Sequence, residues 1–290
     1  MFSISTIKHL FILGTAVTAS VIAAESAIAV STFGINNDVK KFTATDNEDT
    51  LISDGVAVVS NGNTNVYIGT NQVNNNNQDP ILTSFTNGTR DWVFTDIETT
   101  GADARGIALL WDGNNDLYAA FTTDGTQGDA SNDFRRFTTN GWLNSYGQGG
   151  GAKATVLLKI ELDRINSSDP NNITGVINNG TFVSALLSNG KTNTLVPTNM
   201  SFSGTELVLE AQSFFAPRNT DAERMTQTTS GISSPFDYTI TFNDSLTQAN
   251  SAISPGWDNT PVSAAVPFEF KSSLGLLLSL ITWGIVTKKE

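Results

Sequence analysis

The sequence predicts an all-β domain of antiparallel strands, and three observations support this class. Short runs rich in β-branched and aromatic residues recur along the chain, for example at 66–70 and 236–242. Clusters of Asn, Gly, Ser and Asp separate these runs, as is typical of chains with many tight turns. Charged residues make up only 15% of the chain, which leaves few of the Lys and Glu residues that favour helices.

The first hairpin combines residues 54–59 with residues 66–70. The turn between them, 60–63, contains Asn61-Gly62, and an Asn-Gly pair between two β-branched runs is a strong hairpin signal. Residues 30–41 are predicted to form a strand or an extended arm. The polar run 74–80 is predicted to be a loop, since it offers no apolar side chain for a core.

A second unit has the same plan. A strand at 92–97 precedes two further runs, 105–111 and 116–122, which flank an Asp-Gly turn at 112–115. A third, weaker copy comprises 198–202 and 206–211. Further strands are predicted at 154–162, at 180–187 and at 236–242, and the last of these is expected to finish the sheet or to pair with the N-terminal strand.

The shared pattern is a strand, then Gly-hydrophobic-Ala-hydrophobic, a turn, and hydrophobic-Tyr-hydrophobic. It resembles the repeats of bacterial β-propellers, and the resemblance implies antiparallel, β-propeller-like blades. Three visible copies do not close a ring, because a propeller needs at least about four blades. A β-sandwich therefore stays open as the alternative architecture.

The N-terminus has the layout of a signal peptide. Lys8 precedes an apolar run at 10–24, and Ala27-Ile28-Ala29 forms an A-x-A cleavage site,. The segment resembles a bacterial Sec signal, which implies the Sec translocon and signal peptidase as partners. An uncleaved membrane anchor is the alternative, and it is disfavoured because Glu25 and the small residues follow the apolar run at once.

The C-terminus has the layout of a sorting signal. Pro267-Phe268-Glu269 precedes an apolar run at 274–286, and Lys288-Lys289 follows it. Extended to 270–287, the run has roughly 18 residues, enough to cross a thin bilayer as a transmembrane helix. The tail resembles the cyanobacterial Pro-Phe-Glu variant of the PEP-CTERM signal, which implies processing by an exosortase that recognises these three residues. A buried C-terminal helix is the alternative.

These features predict four regions. Residues 1–29 form the signal peptide, which is helical, 30–245 an extracellular all-β domain, 246–265 a linker, and 266–290 the sorting signal with its transmembrane helix. The protein is expected to be exported, tethered to the membrane by its tail, and then placed at the cell surface or outside the cell.

Composition excludes several functions. The chain has no Cys and its single His, His9, lies in the signal peptide, so the mature chain has no residues for a Ser-His-Asp triad, a thiol nucleophile or a His-ligated zinc site. The net charge of −12 disfavours nucleic acid. Carboxylate chemistry and a Ser-Lys pair remain. Glu206 and Glu210 would lie about 13 Å apart on one strand face, too far for a glycosidase pair, so Glu161 or an Asp would have to be the partner, and the sequence nominates none. We therefore predict no enzymatic activity.

The long segment 123–151 is the predicted ligand loop. It carries Asp124, Asp129, Asp133, Trp142 and Tyr146, residue types that suit a sugar or a calcium ion. The alternative is a solvated loop with Trp142 packed beneath it. No cofactor is predicted, and calcium is the one ion left open.

A second acidic segment, Asp112 to Asp116, has the spacing that opens an EF-hand. Leu117 stands where the motif needs Gly, and Thr123 where it needs Glu. We therefore interpret the segment as a hairpin turn.

The sequence thus predicts a non-enzymatic exported protein of the cell surface or extracellular matrix. One alternative is a glycan- or calcium-binding, adhesin-like module whose partner is a cell-envelope or matrix polysaccharide. A second alternative is a secreted glycosidase.

Overall fold

The computed structural model describes residues 32–35, 40–126 and 128–258. The signal peptide with Ala27 and Ala29, the motif Pro267-Phe268-Glu269 and the predicted transmembrane helix lie outside the described residues.

In chain order, the strands and α-helices are β1 (Thr32–Ile35), α1 (Glu48–Asp54), β2 (Ala57–Asn61), β3 (Thr64–Asn74), β4 (Asn77–Thr86), β5 (Thr89–Phe94), β6 (Ala104–Trp111), β7 (Asp116–Thr123), α2 (Arg135–Thr138), β8 (Ala154–Glu161), β9 (Ile177–Val183), β10 (Ala185–Leu186), β11 (Thr192–Asn193), β12 (Leu195–Ser203), β13 (Glu206–Ser213), β14 (Thr226–Gln227), β15 (Phe236–Phe242), β16 (Ala249–Ile253) and β17 (Trp257–Asp258). Two 3-10 helices, Ala130–Asn132 and Leu162–Arg164, complete the set.

The domain is all-β, and three antiparallel sheets form its body. The central sheet has the order β1-β6-β7-β8-β9, the first outer sheet β2-β3-β4-β5, and the second outer sheet β12-β13-β15-β16. Two pairs of short strands, β10-β11 and β14-β17, lie beside them.

The central sheet is buried on both faces. Along β7, Leu117, Ala119 and Phe121 belong to the core shared with the first outer sheet. The alternate residues Tyr118 and Ala120 belong to the core shared with the second outer sheet. Successive side chains of a strand point to opposite faces, so each outer sheet covers one face. A strand buried on both faces reads as a nearly continuous apolar run, which explains the sequences of β6, β7 and β8.

The first outer sheet is itself covered on its far side. Tyr67 and Phe85 of this sheet pack with Leu51 of α1 and with Phe42. α1 begins at its N-cap Asn47, whose side chain accepts a hydrogen bond from the Thr50 N–H, and such capping satisfies an otherwise orphan donor of the first turn. The layers therefore run from α1 through the first outer sheet and the central sheet to the second outer sheet.

The three predicted hairpins are present. In the first, Asn61 is the last residue of β2 and pairs with Thr64, so the two-residue loop is Gly62-Asn63 rather than the expected Asn61-Gly62 pair. Gly62 and Gly204 follow β2 and β12, and both have positive φ angles, 59° and 63°. A glycine of positive φ at the first position of a two-residue loop is typical of the type II′ turn. The predicted strands at 154–162 and 236–242 are present as β8 and β15, and 180–187 covers most of β9 and all of β10.

Three expectations about segments are wrong. The predicted loop 74–80 is a turn only at its start, because β4 begins at Asn77 and pairs with β3 through Gln78 and Asp79. The strand β15 does not pair with the N-terminal strand: it lies between β13 and β16, while β1 pairs with β6. The described part of the predicted linker is folded, since β16 completes the second outer sheet and Ala252 is buried.

The three sheets stack face to face, and in the described ranges, 32–35, 40–126 and 128–258, they close into no ring of blades. No helix in the described part of the chain has the length and hydropathy to cross a membrane.

Two glycines allow close approaches between layers: Gly106 lies between the central sheet and the first outer sheet, and Gly69 lies between the first outer sheet and the segment with Lys40 and Phe42 on its far side. A Cβ at Gly106 would lie 2.4 Å from a side-chain carbon of Ile68 and 2.6 Å from the carbonyl oxygen of Gly69. A Cβ at Gly69 would lie 2.7 Å from the ring of Phe42 and from the carbonyl oxygen of Lys40. Since backbone atoms form part of both contacts, no side-chain rotation makes room for a methyl group.

We expect Gly106→Ala to lower the free energy of unfolding by about 1–3 kcal/mol, because the added methyl group forces the two layers apart. Urea denaturation at neutral pH measures the change. The matched control is Gly150→Ala, where the nearest atom to the new Cβ is 3.9 Å away. Equal effects of the two substitutions would contradict the proposed close packing.

Candidate functional site

The carboxylates of the predicted ligand loop serve local structure and do not converge. Asp124 accepts a 3.0 Å hydrogen bond from the Asp103 N–H through its carboxylate and a 2.7 Å bond from the Gly151 N–H through its carbonyl. Asp129 is exposed and caps a 3-10 helix, where hydrogen bonds from Ser131 lower its pKa. Asp133 is buried and forms a 2.6 Å ion pair with Arg135.

The two aromatic residues of that loop point into different cores. Trp142 packs on Phe242 of the second outer sheet, with ring centroids 5.6 Å apart, and donates a hydrogen bond to the Thr220 carbonyl. Tyr146 is buried in the core on the other side and donates to the Ala152 carbonyl. Trp142 is thus packed beneath the loop, as in the alternative interpretation, and these five side chains form no common site.

The loop instead covers the edge of the central sheet. The Phe182 N–H of β9 donates to the Leu143 carbonyl at 3.0 Å, and the Leu143 N–H donates to the Thr181 hydroxyl at 2.9 Å. An uncovered edge strand exposes unpaired backbone groups to other chains. The segment therefore protects the sheet, which accounts for its length without a ligand.

The segment from Asp112 to Asp116 contains the turn of the β6–β7 hairpin, as interpreted from the sequence. The Asp112 carboxylate accepts hydrogen bonds from the N–H groups of Asn114 and Asp116, at 2.7 and 3.1 Å. Asp116 forms a 2.7 Å ion pair with Lys159. Within the residues that the structure describes, no group of three or more acidic or His side chains is arranged to hold a metal ion.

A cleft opens between the first outer sheet and the central sheet. Its volume is about 340 Å³, within the range of small-molecule sites. The lining residues are Thr64, Val66, Ser84, Thr86, Asp91, Trp92, Trp111, Asn114, Asn115, Leu162, Asp163 and Ile165. We call this site the interlayer cleft.

The outer-sheet wall of the interlayer cleft carries a row of linked polar groups. Ser84 and Thr86 each donate a 2.8 Å hydrogen bond to the same carboxylate oxygen of Asp91. The hydroxyls of Thr64 and Thr86 lie 2.8 Å apart across two neighbouring strands. The second oxygen of Asp91, Oδ1, accepts no hydrogen bond from the described residues, and Asp91 is exposed. This carboxylate is fixed in place with one oxygen free to accept.

Two tryptophans form the inner part of the cleft. Trp92 stacks on Phe94 with ring centroids 4.5 Å apart. Trp111 ends β6, and its Nε1–H donates to the Asn114 carbonyl at 3.0 Å, which fixes the indole against the β6–β7 turn. Both rings are mostly buried, 6% and 5% exposed, so the cleft floor is apolar and rigid.

Sequence reasoning did not identify the interlayer cleft. Trp92 and Trp111 were assigned to strands, and Asn114 and Asn115 to a turn, but no local signal joins residues on two different sheets. The pairing of the layers, which brings them together, is a tertiary feature.

A second group of carboxylates is buried at another place in the fold. Burial raises the pKa of Glu98 to about 7 and that of Asp79 to about 6. The charges of Asp79 and Asp133 raise the pKa of Glu98 further, while hydrogen bonds from Thr100 lower it. Its second oxygen, Oε2, is buried without a partner in the described part of the chain. Burial lowers the pKa of Arg136, and the nearby charge of Glu98 partly offsets that shift.

These shifts make stability depend on pH. Glu98 and Asp79 bind protons more tightly in the folded state than in the unfolded chain, so their charged forms oppose folding. Their contribution is fully favourable at low pH and is lost as the pH rises through about 6 to 7.

No protein-family model, curated protein or solved structure matches the chain in sequence or fold comparison.

We expect Glu98→Gln to increase the free energy of unfolding by about 1–3 kcal/mol more at pH 8 than at pH 4.5. At pH 8 the substitution removes a buried charge, whereas at pH 4.5 the carboxyl is already protonated in the folded state. Urea denaturation at the two pH values measures the difference. The control is Glu210→Gln at an exposed position of β13, which is expected to show no such difference. An identical pH dependence of Glu98→Gln and the unsubstituted protein would refute the assignment.

Proposed function

We propose that the protein is an exported, non-enzymatic component of the cell surface or extracellular matrix, sorted by an exosortase through its C-terminal tail. The order of features in the tail carries this proposal. Pro267-Phe268-Glu269 would be recognised, the apolar run 274–286 would enter the membrane, and Lys288 with Lys289 would remain cytoplasmic,.

The boundaries of the folded domain are compatible with removal of both ends. β1 begins at Thr32, so cleavage after Ala29 by signal peptidase would leave the central sheet complete. The last described strand ends at Asp258, so a cut near Pro267 would release the domain without removing a described strand. Secretion through the Sec translocon followed by trimming of the tail therefore fits the extent of the fold.

The composition of the mature domain supports a non-enzymatic role. Without His and Cys, any hydrolysis would depend on carboxylates or on a Ser-Lys pair. The predicted candidates Glu206 and Glu210 lie on β13, where Glu206 accepts a hydrogen bond from Asn250 and Glu210 is exposed. Neither lines the interlayer cleft.

For the architecture, we propose a layered β-sandwich in preference to propeller-like blades. Two outer sheets cover opposite faces of one central sheet, and the N-terminal strand β1 belongs to that central sheet. Blades of a propeller instead succeed one another around a channel. The repeated hairpins then have similar local structure but lie in different layers.

A glycan-binding role is the second candidate function, and the interlayer cleft is the observation that favours it. In this candidate function, the ligand would bind between two sheets instead of at segment 123–151. A polysaccharide of the cell envelope or matrix would be the partner.

We expect the double substitution Pro267→Ala with Glu269→Ala to abolish processing of the tail. Intact mass and cell fractionation are measured in a host with an exosortase and in the same host without it. The control, Ser272→Ala with Ser273→Ala, should be processed normally. If the unsubstituted tail stays intact in both hosts, the tail is an ordinary anchor and the sorting proposal is wrong.

A further inference from the structure

We propose that the interlayer cleft binds a short segment of neutral carbohydrate. This inference deepens the second candidate function, glycan binding at the same cleft, and rests on it. It does not depend on the sorting proposal, because the cleft belongs to the folded domain.

The cleft has the mixed character that a sugar ring requires. Val66, Leu162 and Ile165 join the two indoles as apolar lining, and this apolar surface suits the C–H face of a pyranose. Hydroxyl, amide and carboxylate groups of Thr64, Asn114 and Asp163 stand among them. A sugar presents hydroxyls at its edge and C–H groups on its face, so both kinds of lining are used by one ligand. A purely apolar ligand would leave these polar groups unpaired.

The network around Asp91 prepares the cleft for a hydroxyl donor. Ser84 and Thr86, two residues apart on β4, both donate to one carboxylate oxygen, which restrains the side chain and leaves Oδ1 to accept. Hydrogen bonds to an ionised acceptor are stronger than those between neutral groups. A fixed acceptor also avoids the loss of side-chain entropy on binding. Asp91 is therefore the residue that should contribute most to affinity.

The charge of the lining selects against anionic sugars. Asp91 and Asp163 are acidic, and no Lys or Arg is among the residues that line the cleft. A uronic acid or a sulfated sugar would bring like charges together in a partly enclosed site, which is unfavourable. The ligand is therefore expected to be a neutral oligosaccharide.

Isothermal titration of the full-length protein tests the proposal, in a detergent without a sugar headgroup. The probes are maltotriose, cellotriose and mannotriose as neutral ligands and trigalacturonic acid as the charged one. We expect at least one neutral trisaccharide to bind. Asp91→Asn should weaken that binding about tenfold or more, and Thr86→Val should weaken it less, because Ser84 still holds the carboxylate. Trigalacturonic acid should bind at least about tenfold more weakly than the neutral probe.

The control is Asp54→Asn, an exposed carboxylate at the end of α1, which should leave binding unchanged. Thermal unfolding of each variant confirms that it is folded, and Asn115→Ala at the exposed rim replaces Asp91→Asn if the latter does not fold. Three outcomes would overturn the proposal: no binding of any neutral trisaccharide, binding unaffected by the cleft substitutions, or preference for trigalacturonic acid. A reducing-end assay on the same mixtures should detect no cleavage, and cleavage would show a glycosidase in place of a binding site.

Discussion

Burial of the central sheet on both faces is the constraint on which the rest of the fold depends. The side chains of β6, β7 and β8 alternate between two cores. Exposing the apolar residues of either face to water is unfavourable in free energy. The second outer sheet buries one face along β13, where buried and more exposed residues alternate, whereas α1 and Phe42 also cover the far face of the first outer sheet. The central sheet therefore requires both outer sheets, and the three layers form one cooperative unit.

The packing of the layers also explains where the interlayer cleft opens. In the middle of β3 and near the start of β6, the missing side chain of Gly106 lets the backbone of Gly69 approach closely. Five residues further along β6 stands Trp111, and five residues back along β3 is Thr64, both in the cleft lining, about 16 Å from the glycines at the usual rise of a strand. The cleft lies at the end of β6 that carries Trp111, away from the close contact at Gly106, and Trp92 of β5 lines its outer-sheet side. Residue size therefore differs between the closely packed part of this interface and the part that opens as the cleft.

The sequence was sufficient to predict the parts of the fold that depend on local signals. The hairpins with Gly62 and Gly204 were predictable because the turn geometry requires residues that accept positive φ. β4 was not, since the polar groups of Gln78 are satisfied by partners remote in the chain: Arg105 donates to its side-chain carbonyl, and the Asp103 carboxylate accepts from its backbone N–H. The distribution of similar hairpins among three sheets depends on which apolar faces meet, and no single segment encodes that. For the same reason, Trp142 suggested a ligand loop although it packs on Phe242.

The layer order separates the proposed binding site from the proposed tether. The interlayer cleft lies between the first outer sheet and the central sheet, whereas the described chain ends at Asp258, where β17 pairs with β14. Trp257 of β17 packs with the core of the second outer sheet, so the chain leaves the domain from the opposite layer. The central sheet stands between the cleft and this exit. A domain held at the membrane by its tail would therefore keep the cleft accessible, and binding would not require release. The proposed sorting and the proposed carbohydrate binding would then be physically independent, since they are assigned to different parts of one chain.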